Sequence, residues 1–509
     1  MWPKKILFFL YMVFAATIFP IAASAAVVDV SGTVSADTIW TSDNVYRVTG
    51  DITLNPGIKL TIEAGTVVKF NAGRRLYVNN GILSAVGEAG NKIVFTSYRD
   101  DSAGGDTNGD GYSTGQAGDW RNLYFYNAIA CPHQPCEAGD TGSELQHVII
   151  RYGGSDNNGS LNLRESDISV LSSEVSHSSS HGIYIQDCSP LIEGNTISDN
   201  GVGNSSYGNG LYLYRNYGSV SPVIRGNTIS GNHTNGIYAS NATPTLEDNT
   251  ISGNGGWGIY FEQATATPEL KGNTVTGNYR SLIVPASALL GSGAAPADAN
   301  ILAPNTINGV WIRGNARSSD LTFARLYTGE AYEINTYQIY DTLTMESGSK
   351  LTVSEGVVVK FYSGAGLNIN GALSAVGTAA LPVVFTSWRD DRYGGDLNLD
   401  GYGSAPANGD WRGIYFSNQA TDGECLIDHT VIRYGGDANS GLVYSYQTDF
   451  TIQNSVLSNS STNGIRSYYA SLTLSGNEIY ANTGDGLYLH GSGMQTISGC
   501  KIYANIGDG

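Results

Sequence analysis

The chain has 509 residues, with 27 Lys and Arg against 45 Asp and Glu, a formal charge of −18. A surface so acidic and poor in lysine excludes nucleic acid and anionic membranes as partners, because both need clustered positive charge. With 65 Gly and 32 Tyr, many Asn and Thr, and no helical spacing of apolar residues, the composition predicts an all-β chain rich in turns.

The N-terminus carries Lys4 and Lys5, an apolar run from Ile6 to Phe19, and the small residues Ala23-Ser24-Ala25. This is the three-part form of a secretory signal peptide spanning 1–25 and cut after Ala25. The run is short against the ~20 apolar residues of a membrane helix, so export is expected rather than anchorage. No later stretch is apolar enough to span a membrane, and none is expected to insert once the signal is removed. Loss of residues 1–25 takes two lysines and moves the charge to −20.

Next come short β-rich phrases split by Gly turns: LTIEAGTVVKF, LYVNNGILSAVG, KIVFTS, LYFYN and HVIIRYGG. They recur from 351 to 436 as LTVSEGVVVKF, LNINGALSAVG, VVFTS, IYFSN and HTVIRYGG. Between the FTS and YF phrases of each set lies an acidic insertion, FTSYRDDSAGGDTNGDGYSTGQAGDWRNLYF and FTSWRDDRYGGDLNLDGYGSAPANGDWRGIYF. Phe95 and Phe385 are 290 positions apart, as are Asp106 and Asp396. Both insertions contain D-x-N-x-D-G, the opening half of a calcium loop of EF-hand type.

In that reading Asp106, Asn108 and Asp110 give side-chain oxygens, Gly111 makes the sharp turn and the Tyr112 carbonyl is a further ligand. Asp396, Asn398, Asp400, Gly401 and Tyr402 repeat the set. Ala117 and Ala407 stand where the closing Glu of the motif belongs, so Asp119 and Asp410 of the GDW phrases become the candidate closing carboxylates. Asp100 and Asp101, or Asp390 and Asp391, could add charge or close the base of each loop. The expectation is Ca2+ at two sites, one per loop, ordering an insertion that has almost no core; a solvated acidic hairpin is the alternative.

Just after the first loop, Cys131 and Cys136 flank PHQP and can close a small disulfide ring after export. A metal knuckle with His133 is the other reading. Cys188, Cys425 and Cys500 read as small buried side chains.

From Leu191 the chain repeats: LIEGNTISDN, VIRGNTISGN, TLEDNTISGN, ELKGNTVTGN, and later TIQNSVLSN, TLSGNEIYAN and TISGCKIYAN. The first Asn of these phrases falls at 195, 227, 249, 273, 454 and 477, with Cys500 in the last slot. Each phrase is followed by another of the HGIYIQ or NGLYLY type. Two short strands per ~22 residues, separated by Asn/Gly turns, are the pattern of a right-handed parallel β-helix, whose coils bury a core only by stacking. Strand alternation puts Ile183, Ile185, Leu211, Leu213, Ile259, Phe261, Leu487 and Leu489 inside. The recurrent Asn is expected to take the left-handed turn conformation and to stack amide on amide.

The duplication divides the chain into a first block, 26–318 with its acidic loop at 98–120, and a second, 319–509 with its loop at 388–411. Ser281–Pro304, rich in Ala, Gly, Pro and Ser, reads as the region of the junction. The final NIGDG matches the start of NTGDGLYL at 482–489, so the second block is expected to stop in mid-coil, as the front part of a longer protein or a truncated product would.

Tyr184, Tyr212, Tyr238, Tyr260 and Tyr488 occupy equivalent outward slots. Such a column could stack on the rings of a glycan, or could simply reflect the preference of Tyr for exposed strand positions. His147 and His429, with Arg151, Tyr152, Arg433 and Tyr434, are the basic sets repeated near the loops. They could serve a lyase or epimerase as a base beside a calcium-bound uronate, though their spacing reads more simply as coil structure.

The NxIxxN…GIY coils resemble the repeats shared by pectate lyases, alginate epimerases and NosD-type periplasmic proteins. The FTSxxDDxxGGDxNxDG…GDW block is similar to that of large bacterial secreted or surface proteins of the right-handed β-helix repeat type. The resemblance covers nearly all of 45–509 and implies the pectate-lyase-like superfold, but says little of function. The DPHD signature of alginate epimerases is absent, as is the paired-Asp, GHG and RIK set of polygalacturonases. The reading is therefore a secreted or bacterial cell-surface protein (the periplasm being also open), calcium-stabilised and acting by binding, adhesion or scaffolding. Its expected partner is an extracellular polysaccharide or cell-surface glycan, and no catalytic residue is assigned. The alternative is a calcium-dependent polysaccharide lyase or uronate epimerase.

Overall fold

The computed structural model describes residues 25–137, 140–203, 206–290, 299–314, 316–327, 333–401, 403–437, 441–491 and 493–508. The segment expected to be a signal peptide, 1–25, thus lies outside the described residues, apart from Ala25. Strands are mostly three to five residues long, and they pair in parallel with the strand one coil away. The result is an all-β, right-handed parallel β-helix. One short hairpin interrupts the pattern, pairing Leu326–Tyr327 antiparallel with Glu333–Ile334.

Three ladders form the walls of the first block. Face 1 runs from Thr38–Trp40 through Lys59–Ile62 and Ile82–Val86 to Leu289–Leu290. Face 2 holds Val67–Phe70, Ile93–Ser97, Val148–Arg151 and the TIS strands. Face 3 holds Leu76–Asn79, Leu123–Tyr126 and the GIY-type strands. Alternation puts one apolar set inside on every face: Phe70, Phe95, Ile150, Leu163, Ile185, Leu213 and Phe261 are all at most 1% exposed. A single core runs through both blocks. Leu487 is half-buried and Leu489 is 36% exposed, because no described coil covers them.

The asparagines form two buried ladders. Asn195, Asn227, Asn249 and Asn273 each pass an amide N–H to the next side-chain oxygen, ending on Asn300, at 2.9–3.0 Å. Asn200, Asn232, Asn254 and Asn278 do the same, ending on Asn305, at 2.8–3.1 Å. The left-handed backbone falls on the residue before the ladder Asn: Gly194, Gly226, Asp248 and Gly272 have φ of 67, 62, 52 and 65°. This corrects the expectation for the Asn itself. In the second block Asn454 (φ 49°) is that preceding residue, and Ser455 occupies the ladder, donating its backbone N–H to Asn477 Oδ1 at 3.0 Å.

Faces 1 and 2 end at the junction and are succeeded by two new seven-stranded ladders, whereas face 3 runs through. Its strands Arg280–Pro285, Ile307–Arg313, Thr336–Ile339, Val358–Phe361 and Val383–Ser387 pair in turn. The second VVKF strand therefore continues face 3, whereas the first, Val67–Phe70, lies on face 2. The duplicated block is set one face further round the axis, because the coils between the copies hold one strand more than whole turns require.

Candidate functional site

Each acidic loop leaves the end of an FTS strand and returns through a buried tryptophan. Trp120 stacks on Phe70 with ring centroids 4.2 Å apart and donates Nε1–H to the Arg151 carbonyl at 2.8 Å. Trp411 stacks on Phe361 at 4.1 Å and donates to the Arg433 carbonyl at 2.9 Å. At the other end the first Asp of the RDD phrase turns into the wall. Asp100 accepts from Thr96 Oγ1 at 2.5 Å and pairs with Arg151 at 2.6 Å. Asp390 accepts from Thr386 at 2.5 Å and pairs with Arg433 at 2.6 Å. Burial pushes the Asp100 carboxyl up, but Ser102, Thr96 and the Arg151 guanidinium together hold it below the usual range.

The second Asp of RDD faces the other way, into the loop. Carboxylate oxygens of Asp101, Asp106 and Asp110 lie within 4.8 Å of one another, and so do those of Asp391, Asp396 and Asp400. Asp106 accepts from the backbone N–H of Gly109 at 2.6 Å and of Gly111 at 3.1 Å, which hold its carboxyl below the usual range. Asp396 accepts from Leu399 at 2.6 Å and Gly401 at 2.8 Å. Leu399 replaces Gly109 yet keeps its left-handed backbone, φ 55° against 75°, a conformation costing a branched residue ~1–2 kcal/mol. The loop shape is thus maintained against local preference.

A divalent cation fits these groups. Asp101 Oδ1, Asp391 Oδ1 and Asn398 Oδ1 are buried and have no hydrogen-bond partner, a costly state for oxygen acceptors unless something satisfies them. Burial and the neighbouring Asp396 carboxylate push the Asp391 carboxyl up, which is the signature of crowded anions. Under each loop a fully buried lysine, Lys69 or Lys360, donates Nζ–H to the carbonyl of Gly105 or Gly395. Burial lowers both ammonium groups, Lys360 to about 8. Three carboxylates in the cluster and one ammonium beneath the loop leave an excess of two negative charges, which a divalent ion matches. The donors are hard oxygens, which suit hard divalent ions rather than softer metals.

Asp119 and Asp410 stand apart from these clusters. Asp119 Oδ2 accepts from Ser97 Oγ at 2.6 Å and the Gln116 N–H at 2.8 Å, with Arg99 3.6 Å away. Asp410 repeats this with Ser387 at 2.6 Å, Ala407 at 3.0 Å and Arg389 at 3.3 Å. Both brace the base of the loop, and the acid that joins each cluster is the second of the RDD pair. The Tyr112 ring is 87% exposed, and Tyr402 lies outside the described residues.

Tyr184, Tyr212, Tyr238 and Tyr260 stack on one another along face 3, with centroids 4.9–5.3 Å apart and planes within 11°. Their ring faces are used within the column; Tyr184 Oη donates to Gln186 Oε1 at 3.2 Å and Tyr260 Oη accepts from Arg313 at 2.9 Å. Tyr488 belongs to a different ladder, paired with Arg466, because the second block is turned by one face. Cys131 and Cys136 are bonded, with Cα atoms 5.4 Å apart, while His133 turns to Asp140 at 3.2 Å rather than to the sulfurs. His147 and His429 are left-handed turn residues, φ 48 and 45°, and Arg151 and Arg433 are held by the buried aspartates.

Residues 138–324 and 412–509 match the family described as right handed beta helix region, and residues 32–123 match the pectate-lyase like beta helix domain. The chain belongs to the right-handed β-helix family. Comparison with curated protein sequences gives no match. Among solved structures, this β-helix is similar to the A-module of Azotobacter vinelandii mannuronan C-5 epimerase AlgE6. Identity there is 14% over 93% of this chain and 88% of that one, with a TM-score of 0.20. The A-module of AlgE4 from the same organism gives 13% identity, 94% and 88% coverage, and a TM-score of 0.20. Likenesses at that level carry no argument about chemistry. Among the described residues, no helix of this β-helix protein is long and apolar enough to cross a membrane.

Proposed function

We propose that the chain is an exported, calcium-stabilised β-helix of the extracellular space or cell surface that acts by binding a polysaccharide or glycan, without catalysis. What carries the calcium part is the repeated cluster of three carboxylates, each with a buried and unpartnered aspartate oxygen aimed at no protein donor. Calcium would be held by Asp101, Asp106 and Asp110, with Asn108, and by Asp391, Asp396 and Asp400, with Asn398. It would clip the outer turn of a loop whose other ties lie at the wall: the tryptophan, the Asp100 or Asp390 ion pair, the bonds of Asp119 or Asp410 and the lysine beneath. The preference for binding over catalysis is supported by the fate of the basic groups near the loops. Both arginines are locked in buried pairs, and both lysines are buried against a carbonyl.

Isothermal titration of the full chain with calcium should saturate near two equivalents. Asp106→Ala should remove one, and Asp106→Ala with Asp396→Ala both. Saturation at ~100 times Kd should stabilise the fold by ~2.7 kcal/mol per site. Asp101→Asn should weaken its site at least about tenfold (~1.4 kcal/mol), whereas Asp119→Asn should lower stability and leave the stoichiometry at two. Absence of binding heat with the wild type sinks the metal reading. Release of unsaturated uronate from pectate or alginate would overturn the non-catalytic one.

A further inference from the structure

The two acidic loops are alike, but they sit on different ground. The first lies over a charged column on face 2, where Asp29, Arg47 and Lys69 are paired neighbours. Arg47 binds Asp29 at 2.7 Å and the Thr107 carbonyl at 2.5 Å. The second, set one face further round, lies over the face 3 column of the first block: Tyr260, Ile283, Trp311, Gln338 and Lys360. Thr107 of the first loop is replaced by Leu397, which joins Ile283, Ile307 and Trp311 in one buried apolar cluster.

This arrangement leaves a half-open pocket of about 350 Å³ at the block junction, within the size class of small-ligand sites. Ile283, Trp311 and Gln338 form its floor. Arg313, Tyr340, Tyr362 and Trp388 form one wall; the two tyrosines stack at 4.8 Å, and Tyr362 meets Trp388 at 4.9 Å. Trp257 and Arg280 form the opposite wall, and Leu397 with Asn398 closes the end nearest the carboxylate cluster.

The two arginines differ in what they do. Arg313 is occupied: its Nη2–H goes to Tyr260 Oη at 2.9 Å, its Nε–H to the Phe261 carbonyl at 3.2 Å, and Asp341 is 4.0 Å away. Arg280 lies over Trp257 at 5.1 Å and Trp311 at 5.8 Å, and its buried Nε has no partner. Among the described residues no carboxylate pairs with it. In a chain of charge −18, a guanidinium kept on an aromatic wall without an acid is a fork open to an anion. Aromatic edges and faces beside it suit the C–H surface of a ring, and Gln338 can serve a hydroxyl.

We propose that this pocket binds one anionic sugar residue of a glycan, with its carboxylate or sulfate on Arg280 and its ring between the aromatic walls. The proposal rests on the glycan-binding reading above and locates it at the junction end of the tyrosine column, beside Tyr260. The test is isothermal titration of the full chain, with calcium present, against an oligogalacturonate, a sulfated oligosaccharide and neutral maltotriose. At least one anionic sugar should bind and maltotriose should not, the pair of anionic probes showing which group is read. Arg280→Gln should weaken that binding about tenfold or more, with calcium stoichiometry and thermal unfolding unchanged. Tyr340→Ser, on the opposite wall and 37% exposed in the wild type, should weaken it several-fold. Wild-type affinity in both variants places glycan binding elsewhere and overturns the pocket while sparing the glycan reading. Equal binding of maltotriose overturns the role of Arg280. No saccharide binding at all removes the glycan reading and the pocket with it.

Discussion

Single residues show how a slot in the coil is filled and what each filling costs. His181 stands where the next coils place Asn209 and Asn235; the backbone N–H groups of Gly182 and Gly210 bond to the carbonyls of those asparagines. Its ring is 1% exposed, stacks on Tyr212 at 4.6 Å, and accepts at Nδ1 from the Asn209 N–H at 3.3 Å. The groups facing it are Asn209 and the neutral rings of Tyr184, Tyr207 and Tyr212, with no carboxylate among the described contacts. Burial accordingly lowers the imidazole to about 3. The folded pKa lies below the unfolded value, so the unfolded chain takes up the proton first. Stability from this residue is complete above about pH 6.5 and falls by ~1.4 kcal/mol for each pH unit below that, until about pH 3. Replacing it with the residue its neighbours use, His181→Asn, should remove this acid sensitivity. Between pH 7 and 4.5 the difference in urea-unfolding free energy between wild type and variant should change by roughly 2–3 kcal/mol. Parallel pH profiles would show that the imidazole charges without unfolding its turn.

At the scale of an element, the asparagine ladders are the main polar framework of the regular coils. Asn249 is 1% exposed and its side chain makes four bonds. It accepts from the Asn227 backbone and side chain at 3.0 and 2.9 Å, and donates to the Ile224 carbonyl at 2.8 Å and Asn273 Oδ1 at 2.9 Å. Asn249→Leu leaves those partners buried and unmade, at ~1–3 kcal/mol each before relaxation, so a loss of roughly 3–5 kcal/mol is expected in equilibrium unfolding. A loss below ~1 kcal/mol would mean that water enters the turn. The period of these phrases was plain in the sequence, and with it the fold. The second ladder was equally written there, five residues after the first, but it carried no signal distinct from an ordinary turn Asn. The choice of which residue bears the left-handed backbone was hidden for a similar reason, since Gly, Asp and Asn all tolerate it and stand side by side. In the acidic loops the motif pointed to Asp106 and Asp110. The third acid was obscured because adjacent aspartates are alike in sequence, and only the wall decides that Asp100 turns in and Asp101 out.

For the whole molecule, the decisive fact is how a duplicated sequence is phased on a solenoid. Equivalent slots in sequence become equivalent places in space only if whole coils separate them, and here they do not. That is why Tyr488 leaves the column of Tyr260, and why the second loop meets Trp311 where the first meets Asp29 and Arg47. Within the first block the phase is regular, since Asn227 and Asn249 are 22 residues apart and directly bonded. Deleting residues 228–249 removes one whole coil, joins Asn227 to Thr250 and sets Tyr212 against Tyr260 and Ile224 against Leu270. Each coil touches only its neighbours, so stability should be close to a sum of coil and interface terms. The shortened chain should fold, unfold cooperatively, keep two calcium equivalents and retain the junction pocket, because every downstream strand stays on its own face. Calcium titration and urea unfolding of that variant check this. Loss of either calcium site, neither of which the deletion touches, would show that the coils communicate beyond their neighbours and that nearest-neighbour stacking is the wrong description of this protein.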